Sequence, residues 1–141
     1  MQKAPSLYIY YSNKDKELAY RLASKLADAG IDVLYDDVLT EAGEDWRRAL
    51  TIGLENADCV LALITPNSFS SEYHMGEIGM AKANVMNSNG SKLLIPVVYD
   101  NAKLPNIISD IQAIYLRNNF DESIESVVNA VFNFVDKRDS K

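Results

Sequence analysis

Short runs in which nearly every residue is apolar recur along this chain, and between them lie stretches whose apolar residues return every three or four positions. The runs are 7–11 (Leu-Tyr-Ile-Tyr-Tyr), 31–35, 59–64 (Cys-Val-Leu-Ala-Leu-Ile), 93–99 and 113–116. A strand with one wet face alternates polar and apolar residues, whereas continuous runs belong to strands buried on both faces, as in a parallel sheet. The stretches between supply the covering helices. Leu18, Leu22, Ala23, Leu26 and Ala29 form one helical stripe, with Ser12 or Asn13 as its cap and Gly30 as a left-handed stop. Trp46, Ala49, Leu50, Gly53 and Leu54 form a second, and Glu44 and Asp45 meet the positive end of its dipole. A third helix opens at Ser71, and Ile124, Val127, Val128, Val131 and Val135 make the last, with Asp121 as its expected cap.

Strands alternating with helices in this way predict an α/β protein with the flavodoxin-like three-layer sandwich. That arrangement is a five-stranded parallel sheet, order 2-1-3-4-5, with helices on both faces. The 141 residues suit one domain, and the polar end 137–141 reads as a short solvated tail. Ligands of open sheets bind beyond the carboxyl ends of the strands, where the strand order reverses. The segments to search are therefore 12–15, 36–45 and 65–77.

Composition and missing motifs remove several function classes. A net charge of −6 with no basic stripe argues against nucleic acid as a partner. No stretch reaches the roughly 18 apolar residues of a membrane helix, and 1–6 lacks the apolar core of a signal peptide, so no membrane partner and a cytoplasmic location are expected. Cys59, the one cysteine, sits in an apolar run and reads as a buried thiol. The phosphate loop Gly-x-x-x-x-Gly-Lys-Ser/Thr is absent, and so is a dinucleotide Gly-x-Gly-x-x-Gly after the first strand. A phospho-acceptor domain needs an aspartate where Thr65 stands. His74 and Glu77 share a helix face, but no further histidine or cysteine cluster completes a metal site, so neither metal nor cofactor is expected.

The most informative chemistry lies in Ser71-Glu72-Tyr73-His74-Met75-Gly76-Glu77. Residues four apart on a helix share a face, so Tyr73 and Glu77 present a flat ring and an acid to one ligand. A planar cationic base attached to a sugar suits such a pair. Ser71 reads as a helix cap rather than a nucleophile, because one histidine and no relay leave it unactivated. Tyr10 and Tyr11 alternate across the first strand, so one borders the ligand and the other packs in the core.

Four segments together resemble the Toll/interleukin-1 receptor (TIR) family: Tyr8-Ile9-Tyr10-Tyr11-Ser12-Asn13-Lys14-Asp15, Glu41-Ala42-Gly43-Glu44-Asp45-Trp46, the Ser71 to Glu77 segment, and Leu93-Leu94-Ile95-Pro96-Val97-Val98 followed by Leu104-Pro105. The likeness covers 6–136. It implies an enzyme that cleaves NAD⁺ at the nicotinamide–ribose bond, with Glu77 as the catalytic glutamate and Tyr73 in place of the family's usual tryptophan. It also implies substrate contacts from Tyr11, and from Ser12 and Asn13, near which helix-start amides offer donors to the diphosphate. Asp36 and Glu41 in the loop 36–45, and Ser71, belong to the same implied set. Trp46 at the base of that loop can line the pocket, although it also opens the apolar stripe of its own helix. The resemblance makes NAD⁺ a substrate rather than a cofactor and assigns self-association between TIR units to 36–45. A free-standing TIR protein of this length further resembles bacterial anti-phage signal generators of the Thoeris type, in which a separate effector reads a cyclic ADP-ribose isomer. Two alternatives stay open: a non-catalytic TIR scaffold, and a nucleoside deoxyribosyltransferase on the same architecture.

Overall fold

The computed structural model describes residues 3–35, 46–69, 72–116 and 120–140, and for 46–50, 69 and 72–75 the backbone alone. Its sheet is built around β3 (Cys59–Ile64), whose six residues are all buried. On one side β3 pairs with β1 (Ser6–Tyr10), which pairs in turn with β2 (Asp32–Leu34). On the other side come β4 (Leu93–Tyr99) and β5 (Ile114–Leu116). Every pairing is parallel and the order is β2-β1-β3-β4-β5, the order that the run-and-helix alternation predicts. Among the described residues four α-helices cover the sheet: α1 (Lys16–Asp28), α2 (Trp46–Asn56), α3 (Glu72–Met86) and α4 (Phe120–Asp139).

Side-chain alternation divides the core into two layers. Leu7, Ile9 and Tyr11 of the first strand segment join Leu61 and Leu63 of β3, Leu22 and Leu26 of α1, and Val127 and Val131 of α4. Tyr8 and Tyr10 point the other way, to Val60, Ala62 and Ile64, with Leu54 of α2 and Ile78 and Ala81 of α3. Helix α2 lies so close to the sheet that a Cβ on Gly53 would fall 2.0 Å from the ring of Tyr8. Glycine at that position is a condition of the contact. Among the described residues no helix is long and apolar enough to cross a membrane.

The structure departs from the sequence reading most clearly at β2 and at the two ends of α4. Strand β2 has three paired residues rather than five, because an edge strand pairs along one side only and Val33 and Leu34 stay half-buried. Helix α4 begins at Phe120, so Asp121 is not its cap but an acid in the first turn, beside Glu122, at the positive end of the dipole. The expected polar tail is a correction of more consequence. Helix α4 continues to Asp139, and Arg138 donates from Nη1 to Asp58 Oδ1 at 2.7 Å and to the Ser91 carbonyl at 3.0 Å. Asp58 also accepts from the Ser6 amide at 2.9 Å, so one carboxyl ties the starts of β1 and β3 to the end of the last helix.

Burial pushes the Asp58 carboxyl up, but the Ser6 amide and the Arg138 guanidinium together outweigh it and hold the group below the ordinary carboxylate range. A depressed folded pKa stabilises the native state above the unfolded value of about 3.9, and that contribution disappears as pH falls through the folded value. Arg138→Ala should cost about 1–2 kcal/mol at neutral pH. Urea unfolding at pH 7 and near pH 3 checks this, with the difference from wild type shrinking at the lower pH. Gly53→Ala should lose about 1–3 kcal/mol through overpacking against Tyr8, despite the better helix propensity of alanine; the same unfolding curves read it.

Candidate active site

The chain order reverses between β1 and β3, and the segments that leave these two strands meet at their carboxyl ends. After β1, Ser12 takes an extended conformation and caps a 3₁₀ turn at Asn13–Asp15, its Oγ accepting from the Lys14 amide at 3.4 Å. The Asp15 amide donates to the Ser12 carbonyl at 2.8 Å. The amides of Lys14 and Asp15, which follow the Ser12 and Asn13 pair named for the diphosphate, are thus engaged within the turn. Ser12 itself is half-buried and Asn13 exposed.

Asp15 is buried and turns away from its helix, toward the loop that follows β3. Thr65 Oγ1 donates to Asp15 Oδ2 at 2.6 Å, and Asn67 Nδ2 donates to Asp15 Oδ1 at 2.8 Å. Within that loop the Thr65 amide donates to Ser68 Oγ at 2.9 Å, and the Asn67 amide to Thr65 Oγ1 at 3.1 Å. Thr65 is fully buried, so these bonds meet polar groups that water cannot reach. The network fixes the segment from which α3 departs.

On α3 the fully buried Ile78 and Ala81 set the rotation of the helix about its axis. Glu77, next to Ile78, lies at the edge of that buried face and is itself half-buried. The hydroxyl of Tyr10, a side chain only 3% exposed, donates to Glu77 Oε2. A carboxyl group of α3 is therefore held by a phenol at the carboxyl end of β1. Gly76, the preceding residue, is exposed, and a Cβ there would meet nothing within 4 Å.

The remaining sequence-derived residues fall as follows. The backbone of Tyr73 lies one turn before Glu77 on the same helix, with its side chain outside the described residues. Tyr11 packs 4% exposed in the core under α1 and α4, on the sheet face opposite Glu77. Trp46 starts α2, its side chain outside the described residues, and Asp36, Glu41 and Ser71 lie outside them altogether. Of the two tyrosines between which the sequence did not decide, Tyr10 is the one at the site; Asp15, Thr65 and Asn67, which support it, were given no role there from the sequence. Ala62 beside Tyr10 in the β1–β3 register was one signal, a small residue leaving room for the ring. Among the described residues no group of three or more His, Cys, Asp or Glu is placed to hold a metal ion.

A family model described as TIR domain matches residues 7–128. The chain is 27% identical over 135 residues to the NAD(+) hydrolase TcpA of Theionarchaea archaeon (strain DG-70-1), covering 94% of this chain and 40% of that protein. It is 28% identical over 96 residues to the 2' cyclic ADP-D-ribose synthase BtTIR of Bacteroides thetaiotaomicron, covering 67% of this chain and 33% of that protein. The chain thus spans less than half the length of these two curated relatives. The TIR domains of the activated Roq1 resistosome superpose with a TM-score of 0.72 at 14% identity, over 91% of this chain and 99% of theirs, a likeness of fold.

Asp15→Ala removes the acceptor for both Thr65 Oγ1 and Asn67 Nδ2. It should cost about 1–3 kcal/mol, the penalty of leaving buried donors unmatched. Amide exchange should speed up across 65–69 while β3 stays protected. Hydrogen-exchange mass spectrometry on wild type and variant checks both parts.

Proposed function

We propose that this chain, which belongs to the TIR domain family, cleaves NAD⁺ at the nicotinamide–ribose bond, with Glu77 as the catalytic residue. The observation that carries the reading is the half-buried Glu77 carboxyl, held by Tyr10 at the carboxyl end of β1. Names of two relatives support it, one a NAD(+) hydrolase and one a 2' cyclic ADP-D-ribose synthase.

One carboxylate suffices for this bond. Ordinary glycoside hydrolysis needs a second because an alkoxide leaving group must be protonated. Nicotinamide carries its positive charge on the ring nitrogen and departs neutral, taking the electron pair of the broken C–N bond. Glu77 then has two tasks: to hold the ribose hydroxyls, and to stabilise the positive charge that grows on the anomeric carbon. Water adding to that carbon gives ADP-ribose and a proton. An atom of the same nucleotide adding there gives a cyclic ADP-ribose isomer and a proton. Tyr73 stacks on the departing ring, and the segment at Ser12 and Asn13 lies where the diphosphate runs.

Tyr11, buried on the other face of the sheet, has no place in this arrangement. In the same reading the loop 36–45, with Asp36 and Glu41, joins one TIR unit to the next. The protein works in the cytoplasm, and its nucleotide product signals phage infection to a separate effector.

Glu77→Gln keeps an oxygen that can accept from Tyr10 and removes the charge. Nicotinamide release from NAD⁺ should fall about a hundredfold or more, the scale of deleting one transition-state electrostatic partner. Chromatographic assay of nicotinamide, with deoxynucleosides as competitors, checks it. The reading fails if purified wild type, dilute or concentrated into assemblies, releases none, or if Glu77→Gln releases it at the wild-type rate.

A further inference from the structure

We propose that Tyr10 is the positioning residue for Glu77, its buried hydroxyl holding one carboxylate oxygen in place beyond the carboxyl end of β1. The inference deepens the function proposed above and rests on it for its catalytic meaning. Its structural ground is independent. A glutamate on a helix has several free rotors and ordinarily samples many of them. Tyr10 has almost none left, because its ring is 3% exposed and packed in the layer with Ala62, Ile78 and Ala81. Its phenol oxygen is therefore a fixed point in the sheet. By donating to Glu77 Oε2 it anchors that oxygen and narrows the range of side-chain rotamers open to the carboxylate.

An O–H donor also discriminates between protonation states. Its bond to an ionised oxygen is roughly twice as strong as its bond to a neutral one, so the hydroxyl favours the charged form. Other groups near α3 are elsewhere engaged or elsewhere placed. Lys82 pairs with Asp110 and the Ile107 carbonyl. Glu55 stands at the last turn of α2, where Lys92 reaches its carbonyl, at the amino end of the sheet. Tyr99 closes β4 and is exposed. The side chains of Arg47, Arg48 and His74 lie outside the described residues.

Tyr10→Phe keeps the ring and deletes the hydroxyl. The Glu77 carboxyl signal, followed by carbon NMR and assigned by its absence in Glu77→Gln, should then titrate at a higher pH than in wild type. In turnover the acid limb of the pH profile should move the same way, and kcat should fall about tenfold or more with KM little changed. Should Tyr10→Phe not fold, the pair is read from the other side: in Glu77→Gln one tyrosine should titrate at lower pH by ultraviolet absorbance, having lost its anionic acceptor. An unmoved Glu77 titration in folded Tyr10→Phe, or an unmoved tyrosine titration in Glu77→Gln, overturns the proposal. A wild type without turnover strikes the enzymatic reading alone, since both titrations still decide whether Tyr10 governs Glu77.

Discussion

A parallel sheet whose strands are buried on both faces has only its two ends open to chemistry, and this constraint organises the whole molecule. Each strand of the sheet runs in the same direction, so every strand-to-helix segment emerges at one end and every return arrives at the other. Alternation along β1 then assigns residues to layers without freedom. Tyr8 and Tyr10 enter the layer under α2 and α3, while Leu7, Ile9 and Tyr11 enter the layer under α1 and α4. Which tyrosine meets the glutamate is settled by that parity.

The two ends serve different purposes. At the amino end, Asp58 collects Ser6 and Arg138, joining residues 80 apart in sequence and closing the last helix onto the sheet. The donors and acceptors of these three residues satisfy one another. At the carboxyl end, Asp15, Thr65 and Asn67 form a comparably closed network, and Glu77 sits above it on a helix whose rotation is set by Ile78 and Ala81. Rigid support thus surrounds a carboxyl that is itself half-exposed, the combination that a site of charge stabilisation requires.

Much of this was legible in the residues. The run 59–64 and the run 93–99 are apolar throughout because their strands lie inside the sheet, and the structure reproduces both boundaries. The edge strand was read two residues too long, since apolar character outlasts pairing there. Arg138 looked solvated because its partner Asp58 is far away in sequence and no local pattern announces it. Glu77 was visible through its spacing from Tyr73 and its place after β3. The role of Tyr10 was not, because period-two alternation says that neighbours face opposite ways and not which way leads to a particular helix. Asp15 escaped for a similar reason: a charged residue in a polar turn reads as solvent-facing until the loop from β3 is folded against it.

In the proposed reaction a single carboxylate, Glu77, meets the ribose of NAD⁺ beyond the carboxyl end of β1. The most direct measurement is a crystal structure of the chain with a carbocyclic NAD⁺ analogue, whose nicotinamide bond cannot break. The account predicts a Glu77 oxygen about 3 Å from the ring hydroxyls that stand for those of ribose, with Tyr10 still donating to Oε2 and the nicotinamide beside Tyr73. An analogue bound away from Glu77, or a Glu77 side chain swung out of the crevice in the complex, would contradict it.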